Sequence, residues 1–449
     1  MPASPTEHSP RPWASWYTLG VLTLVYAVNI TDRFVASTLI DPIKHDLGLS
    51  DSEVSFLLGT GLAIFYVSAG IPLGYLADRV SRRNLIAWAL AAWSAMTALC
   101  GLTHTYWQLL LARIGVGVGE AGGTAPSQSL LADRFPVHQR SFASSIYAVG
   151  AAIGVAIGST AGGWLNDHFG WRRSLIFFGV VGIPVALLVR FTMAEPRRGA
   201  LDRHSVVGER ATLSETLRFV WHQRSAVHIL AGATVATFWG WGIMWWLTAY
   251  LGRSYHLSTG DAGAILGPIN LVGGAAVTLA TAWLVYVNGK VDVRRDAWLV
   301  AGTTLVATVP GIWMFLTHSL ALTKWLLWVF VSLNYLYLGP TFGMLQNLVP
   351  ARMRGLIAAI LLFVANVANL AVAPQLIGVL SDFAAARIAN PDESLRYVLL
   401  GTAFTGIWGA WHYFTAARTL KEDFARAGNA LPDSPSGRLS VGPKPVQTT

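Results

Sequence analysis

The sequence has little charge and almost no cysteine. Only 12% of its 449 residues are charged, about half of the roughly 25% found in soluble globular domains. A soluble protein is excluded, because too few charged groups are available to cover the surface of a chain this long. Disorder is excluded as well, since 53% of the residues are hydrophobic and 19 are tryptophan. The single cysteine, Cys100, excludes a disulfide framework.

Long apolar runs take the place of charge. A helix that crosses a bilayer needs roughly 20 apolar residues, and the sequence contains twelve such runs. We therefore expect an all-α membrane protein with twelve transmembrane helices, which we number as spans 1 to 12. They cover residues 14–40, 54–77, 85–103, 107–132, 142–166, 174–193, 227–251, 262–287, 297–317, 324–348, 355–380 and 397–417.

The positions of the basic residues predict the orientation in the membrane. Of the 32 lysines and arginines, 22 lie in the termini and in the loops after spans 2, 4, 6, 8 and 10, against seven on the opposite side. Basic loops favour the cytoplasm, so both termini are expected there, with the protein in the (inner) cell membrane. The net charge of +9 is explained by the same loops facing anionic lipid. No nucleic-acid partner is expected.

A polar segment at residues 194–226 separates two halves. We expect a cytoplasmic N-terminal tail over residues 1–13, a six-helix bundle over 14–193, and a second six-helix bundle over 227–419. Residues 212–222 have the apolar spacing of an amphipathic helix at the membrane surface. The Pro-, Ser- and Gly-rich residues 420–449 predict a disordered cytoplasmic tail.

The two halves share a sequence pattern. The matching positions, 214 or 215 residues apart, are Pro136 and Arg140 with Pro350 and Arg354, Gly163 and Asp167 with Gly378 and Asp382, and Gly74 and Asp78 with a degraded copy at Asn288 and Asp292. Two parallel six-helix repeats are typical of transporters, in which the substrate cavity lies between the halves near the middle of the membrane.

The loop between spans 2 and 3 carries Gly74, Asp78, Arg79, Arg82 and Arg83 in that order. This string resembles the cytoplasmic signature loop of the major facilitator superfamily, in which a Gly is followed by an Asp and then by basic residues. The resemblance implies that the loop latches the helix bundle on one side. A plain cytoplasmic basic loop is the alternative interpretation. We expect these charges to act in gating, together with Arg140 and Arg354.

Further strings in the N-terminal half narrow the resemblance. They are NITDR (29–33), GIP (70–72), RIGVGVGEAG (113–122), DRFP (133–136) with Arg140, and GWR (170–172). Together they resemble the spinster-type family of lysolipid transporters. That family implies a twelve-helix carrier with alternating access for amphipathic phosphorylated lipids, such as lysophospholipids or sphingosine-1-phosphate.

Four ionisable residues inside spans are functional candidates, because charge in a bilayer is costly unless it is paired or hydrated. Asp32 and Arg33 lie in span 1, and Arg113 and Glu120 lie two helical turns apart on one face of span 4. We expect each carboxylate to meet an arginine of the other helix. Our hypothesis is that Asp32 and Glu120 bind protons during transport while Arg33 or Arg113 holds an anionic headgroup. A static salt-bridge cluster is the alternative.

Other polar and aromatic residues are weaker candidates for the substrate cavity. Interhelical hydrogen bonds, or tryptophans that face lipid, explain them about as well. They are Asn29, Trp241, Trp245, Asn334, Asn366 and Asn369.

The sequence therefore predicts a secondary-active carrier whose partners are the bilayer, an amphipathic or lysolipid substrate and protons. We expect it to act as a monomer. A proton-linked carrier of small organic solutes or drugs is the alternative. A membrane-embedded lipid-modifying enzyme would need a nucleophile or metal constellation near an interface, and none appears in the sequence. The 11 histidines form no His-x-x-x-His or His-Glu pair that would indicate a metalloenzyme. We expect no enzyme activity, no cofactor and no metal.

Overall fold

The computed structural model describes residues 12–77, 79–196, 211–288 and 292–426, and within them the chain is helical without any β-strand. The α-helices are α1 Pro12–Thr38, α2 Ile40–Leu47, α3 Asp51–Ser55, α4 Gly61–Ala77, α5 Arg82–Cys100, α6 Tyr106–Glu120, α7 Thr124–Arg134, α8 Val137–Phe169, α9 Trp171–Thr192, α10 Leu213–Trp221, α11 Arg224–Tyr255, α12 Thr259–Pro268, α13 Ala275–Asn288, α14 Arg294–Leu316, α15 Leu320–Asn334, α16 Leu338–Asn347, α17 Arg354–Asn366, α18 Ala373–Ala385 and α19 Ser394–Arg426.

These helices supply the twelve predicted spans. Spans 1, 3, 5, 6, 7, 9 and 12 are the single helices α1, α5, α8, α9, α11, α14 and α19. Span 4 consists of α6 and α7, and span 10 of α15 and α16. Spans 2, 8 and 11 each contain a π-helical segment between two α-helices, at Phe56–Thr60, Ile269–Gly274 and Val367–Val372. Within the described ranges, nine helices are long and apolar enough to cross a membrane, and those of spans 3, 4 and 12 are shorter, interrupted or more polar.

Side-chain caps define where many of the helices begin. A Ser or Thr just before the helix accepts a hydrogen bond from a backbone N–H of the first turn, which has no partner inside the helix. The capping residues are Ser50, Ser81, Thr105, Thr212, Ser258 and Ser319.

One end of the molecule contains Ser15, Arg82, Arg134, Arg224 and Arg354, and we call it the inner end. At this end, Arg82 joins spans of the N-terminal half. Its Nη1 lies 2.6 Å from Asp133 Oδ2, and its Nε lies 3.0 Å from Glu195 Oε1. Burial alone would raise the pKa of Glu195, but hydrogen bonds from the Arg83 backbone N–H, the Arg82 guanidinium and Ser81 hold that pKa below its usual value. Spans 3, 4 and 6 are thus joined to one another.

The segment between the halves contains the short helix α10, which lies within the predicted residues 212–222.

The end of the last bundle differs from the prediction. Helix α19 continues to Arg426, beyond the predicted boundary at 419, because buried Asp423 accepts hydrogen bonds from the backbone N and the Oγ of Ser225 at 2.9 and 2.7 Å. The predicted tail over 427–449 and the tail over 1–11 lie outside the described residues.

The repeated Gly and Asp at the ends of spans 5 and 11 join the two halves at the opposite end of the molecule. Asp167 accepts hydrogen bonds from Thr259 Oγ1 at 2.7 Å and from the Gly260 backbone N at 2.9 Å. Asp382 accepts from the backbone N atoms of Asp51 and Ser52 at 2.9 and 2.8 Å. Each carboxylate therefore caps the first helix of a span in the other half. We call this end, where residues 41–51 meet 253–260, the outer end.

The glycines of the same repeat allow this contact. A Cβ on Gly163 would overlap the Thr259 carbonyl oxygen, and a Cβ on Gly378 would lie 2.6 Å from the Asp51 carbonyl oxygen. The backbones of the two halves thus touch directly. Neither position has room for any side chain while the outer end is closed.

A partly buried charge network completes the closed outer end. The Arg253 guanidinium of α11 donates to Asp41 Oδ1 at 2.6 Å and to both carboxylate oxygens of Asp51 at 2.7 Å. Lys44 Nζ lies 2.7 Å from Asp51 Oδ1. One arginine of the C-terminal half is therefore enclosed by acids of the N-terminal half.

Replacing Gly163 by valine is expected to open the outer end, because the new side chain overlaps the backbone of Thr259. Spin labels can be placed at the exposed positions His45 and His256, one in each half. The distance between them, measured by pulsed electron paramagnetic resonance, should increase by several Å, on the order of two carbon diameters. Gly302→Val is the matched control, since no atom lies within 4 Å of a Cβ built there. Unchanged distances in the Gly163 variant would contradict this prediction.

Candidate functional site

The four ionisable residues predicted inside spans are all buried in the N-terminal half. Asp32 and Arg33 of α1 are 4% and 7% exposed, and Arg113 and Glu120 of α6 are 1% and 0% exposed. Charges this deep in an apolar environment require partners. The contacts of each side chain therefore decide what the cluster can do.

Arg33 and Glu120 form an ion pair between spans 1 and 4. Arg33 Nε donates to Glu120 Oε2 at 2.8 Å, and Arg33 Nη2 lies 2.7 Å from the same oxygen. The other oxygen, Oε1, is buried without a partner among the described residues. The Arg33 guanidinium also lies 4.9 Å from the ring centroid of Tyr66, which suits a cation–π contact.

Asp32 does not meet an arginine, in contrast to the expectation from sequence. It accepts a hydrogen bond of 2.6 Å from Thr97 Oγ1 on α5. No basic side chain among the described residues lies within salt-bridge distance of its carboxylate. The reason is angular: adjacent residues on a helix point about 100° apart, so when Arg33 faces span 4, Asp32 faces span 3.

Arg113 is the least satisfied member of the cluster. Its Nη2 donates to the Leu58 carbonyl oxygen at 3.4 Å, in the π-helical segment of span 2. Its Nε and Nη1 have no hydrogen-bond partner among the described residues. The site therefore contains unused donors on Arg113 and an unused acceptor on Glu120.

Aromatic side chains of the C-terminal half pack directly beside this cluster. The ring of Phe34, the residue after Arg33, lies 6.1 Å from Trp241 and 6.2 Å from Trp245 of α11, measured between centroids. Trp241 in turn lies 5.6 Å from Tyr335. The structure thus brings the predicted tryptophans of span 7 to the interface between the halves, although Trp245 itself is only 2% exposed.

The four predicted asparagines have different surroundings. Asn29 is buried one turn before Arg33, and Asn334 is buried with its Nδ2 3.0 Å from Met244 Sδ. Asn366 donates to the Leu362 carbonyl oxygen of its own helix at 2.9 Å, and Asn369 lies in the π-helical segment of span 11. No described contact joins Asn366 or Asn369 to the charged cluster.

The predicted gating arginines make contacts within their own halves. Arg83 Nη1 donates to the Met193 carbonyl oxygen at 3.2 Å, and Arg79 is exposed. Arg140 and Arg354, which match in the repeat, each donate Nε to a backbone carbonyl at the end of the preceding span, at 3.1 and 3.2 Å. Asp78 lies outside the described residues.

Sequence reasoning missed Thr97 and Tyr66, which contact Asp32 and Arg33, and Arg253 with its acids at the outer end. Thr97 and Tyr66 are single polar residues in apolar runs, and no spacing singles them out. Arg253, Asp41 and Asp51 lie at the predicted ends of spans, where charges are ordinary. Only the packing of distant spans reveals their partners.

The sequence profile of the Major Facilitator Superfamily matches residues 22–374. The chain belongs to this family. Membership makes it a membrane transporter rather than an enzyme, as the sequence predicts, and confirms the two-bundle fold. Among the described residues, no three His, Cys, Asp or Glu side chains are grouped to hold a metal ion.

Two relatives within the Major Facilitator Superfamily match nearly the whole chain. An "MFS-type efflux pump" of Mycolicibacterium smegmatis is 29% identical over 93% of this chain and 96% of its own length. The "Sphingosine-1-phosphate transporter SPNS2" of Danio rerio is 25% identical over 96% of this chain and 88% of its own length. The spinster-type resemblance is confirmed by such relatives.

A solved structure has the same fold. The crystal structure of a bacterial homolog of the human lysosomal transporter Spinster, in an inward-facing and unoccupied conformation, superposes with a TM-score of 0.79 at 27% sequence identity. The match covers 91% of this chain and 98% of that one.

Removal of one partner of the Arg33–Glu120 pair is expected to destabilise this Major Facilitator Superfamily member strongly. Arg33→Leu leaves the Glu120 carboxylate buried without its counter-charge, at a cost of about 3–5 kcal/mol. The double variant Arg33→Leu with Glu120→Leu should recover most of that loss. Unfolding of each variant in detergent gives the values.

Arg190→Leu serves as the control, because this arginine of span 6 has no ion pair with a described acid and lies against Phe191. Its loss of stability should be much smaller. A double variant whose destabilisation equals the sum of the two single ones would contradict the pairing.

Proposed function

We propose that the protein is an alternating-access carrier for an amphipathic anion, such as a lysophospholipid or sphingosine-1-phosphate, coupled to protons at Asp32 and Glu120. The observation that supports this proposal best is the buried Arg33–Glu120 pair next to a second buried carboxylate. A purely structural ion pair would not require Asp32 at the neighbouring position. The buried donors of Arg113 add positive charge to the same region.

The surroundings of Arg33 suit an amphipathic anion. A guanidinium binds phosphate through paired hydrogen bonds, and Tyr66, Phe34 and Trp241 provide apolar surface beside it. The name of the zebrafish relative gives a phosphorylated lipid as that protein's substrate. We assign headgroup binding to Arg33 and Arg113 and acyl-chain contacts to Trp241 and Trp245, with Asn29, Asn334, Asn366 and Asn369 as further candidates.

The geometry of the pair supports proton coupling. Among the described residues, Arg33 has a single carboxylate partner. An anion that binds Arg33 displaces Glu120, and this carboxylate then lies in a low-dielectric site without a counter-charge. Protonation removes that cost. Anion binding is therefore linked to proton uptake by Glu120, with Asp32 as the second proton-binding group.

Alternating access requires that one end close when the other opens. The contacts of Asp167, Asp382 and Arg253 close the outer end, and we propose that the charged residues predicted to act in gating close the inner end in the opposite state. These are Asp78, Arg79, Arg82, Arg83, Arg140 and Arg354. Both termini would then lie in the cytoplasm, and the protein would act as a monomer in the cell membrane.

Flux into proteoliposomes tests the substrate class. We expect lysophospholipid or sphingosine-1-phosphate to be transported saturably and faster with a pH gradient than without one, whereas sugars and drugs are not. Asp32→Asn and Glu120→Gln should abolish the effect of the gradient. Flux that keeps its full dependence on pH in both variants would contradict the coupling, and saturable flux of a water-soluble solute alone would contradict the lipid substrate.

Proton uptake upon binding tests the linkage to Glu120 directly. In weakly buffered detergent solution, addition of lysophosphatidic acid to the purified protein should remove about one proton per chain from the medium, because one carboxylate loses its counter-charge. A pH-indicator dye reports the change. Glu120→Gln should bind the ligand without proton uptake, and Arg190→Gln should behave as the unaltered protein. Equal uptake in the Glu120 variant would disprove this assignment.

A proton-linked carrier of small organic solutes or drugs is the second candidate. It is favoured by the efflux pump of Mycolicibacterium smegmatis, which matches over 93% of this chain. The same flux assay separates the two, since only one of them predicts transport of water-soluble compounds.

A further inference from the structure

A second group of basic side chains lies outside the charged cluster, at the inner ends of spans 7 and 12. A cavity of about 440 Å³ there is lined by Trp221 of α10, Arg224 and His228 of α11, and Arg418 and Thr419 of α19. None of these residues takes part in the proposed transport mechanism. Its lining residues belong to α10, α11 and α19, and none of them belongs to the N-terminal half.

The polar groups of this cavity are almost all donors. Arg224 and Arg418 are exposed, and neither forms an ion pair with any acid in the described part of the chain. The neighbouring acid, Asp423, is occupied by Ser225 and by Arg426 Nη1 at 3.1 Å. Thr419 Oγ1 is buried without a hydrogen-bond partner among the described residues. The two exposed guanidiniums form a site that suits a phosphate group.

The floor of the cavity is rigid. His228 Nδ1 and His412 Nδ1 lie 2.9 Å apart and join span 7 to span 12. The Trp411 ring packs against both imidazoles, at 5.6 and 4.8 Å between centroids. The helix backbones that carry Arg224 and Arg418 are therefore held side by side before any ligand binds, which lowers the entropic cost of binding.

Uncovered apolar side chains surround the basic ones. Leu213, Leu217 and Trp221 of α10 are 54%, 47% and 78% exposed, and Trp411, one turn below Thr415 on α19, is 53% exposed. An amphipathic helix with such a face lies at the boundary between headgroups and acyl chains, where tryptophan is also enriched. A ligand at this position meets positive charge and apolar surface together.

We infer that this cavity binds the headgroup of an anionic phospholipid from the surrounding membrane. Its phosphate lies between Arg224 and Arg418, and its acyl chains lie along Trp411 and the apolar face of α10. Charge complementarity selects this occupant, because the cavity carries two unpaired guanidiniums at the end of the protein that is richest in basic residues, and anionic leaflets attract such groups. Bound lipid holds α10 against spans 7 and 12.

Thermal unfolding of the purified full-length protein tests the inference. Phosphatidylglycerol added to detergent micelles should raise the midpoint more than phosphatidylcholine does. Native mass spectrometry should show that the Arg224→Gln and Arg418→Gln variants each retain about fivefold less phosphatidylglycerol than the unaltered protein. The double variant should retain less than either single variant. Arg224→Lys should keep part of the preference, because it keeps the charge but not the paired donors.

Arg295→Gln is the matched control, since Arg295 is an exposed residue at the inner end of span 9 outside the cavity and its loss changes the net charge equally. It should retain phosphatidylglycerol as the unaltered protein does. Equal effects of the two lipids, or an equal loss in the control, would overturn the inference. So would equal stabilisation by glycerol 3-phosphate, which would mean that the site takes a free phosphate. These readouts measure binding and not flux, so they are independent of the transport proposal.

Discussion

The structure depends on the rule that charge inside a membrane must find its partner within the protein. The Arg33–Glu120 pair obeys this rule by joining spans 1 and 4, and Thr97 satisfies Asp32 from span 3. Three helices of the N-terminal half are thereby tied around one group of side chains. The same rule underlies the proposed coupling, in which an anion or a proton that changes one charge leaves another without its partner.

The internal repeat places the same contact twice between the halves. Asp167 and Asp382 occupy equivalent positions, and each caps the first helix of a span in the opposite half. The glycines four residues before them let the backbones touch. The buried ion pair is not repeated in this way among the described residues: it lies in the N-terminal half, and the C-terminal half faces it with tryptophans. The contacts between the halves therefore follow the repeat, whereas the buried charges do not.

Much of the fold followed from composition and periodicity. Twelve spans, two halves and a surface helix between them were predictable because an apolar solvent forces long apolar helices, and those leave a strong pattern in the sequence. The boundary at residue 419 was misplaced, since Asp423 extends α19 through a contact with Ser225 that lies almost two hundred positions away in the chain. Local composition carries no information on such a contact.

The sequence by itself determined which charges had to be functional candidates, because Asp32, Arg33, Arg113 and Glu120 stand within apolar runs. It did not determine their pairing. Three features depend on how spans 1, 2, 3 and 4 are rotated against one another: Arg33 meets Glu120, Asp32 meets Thr97, and Arg113 keeps donors without a partner among the described residues. Helix rotation is set by the packing of many side chains at once, so only the tertiary structure decided it.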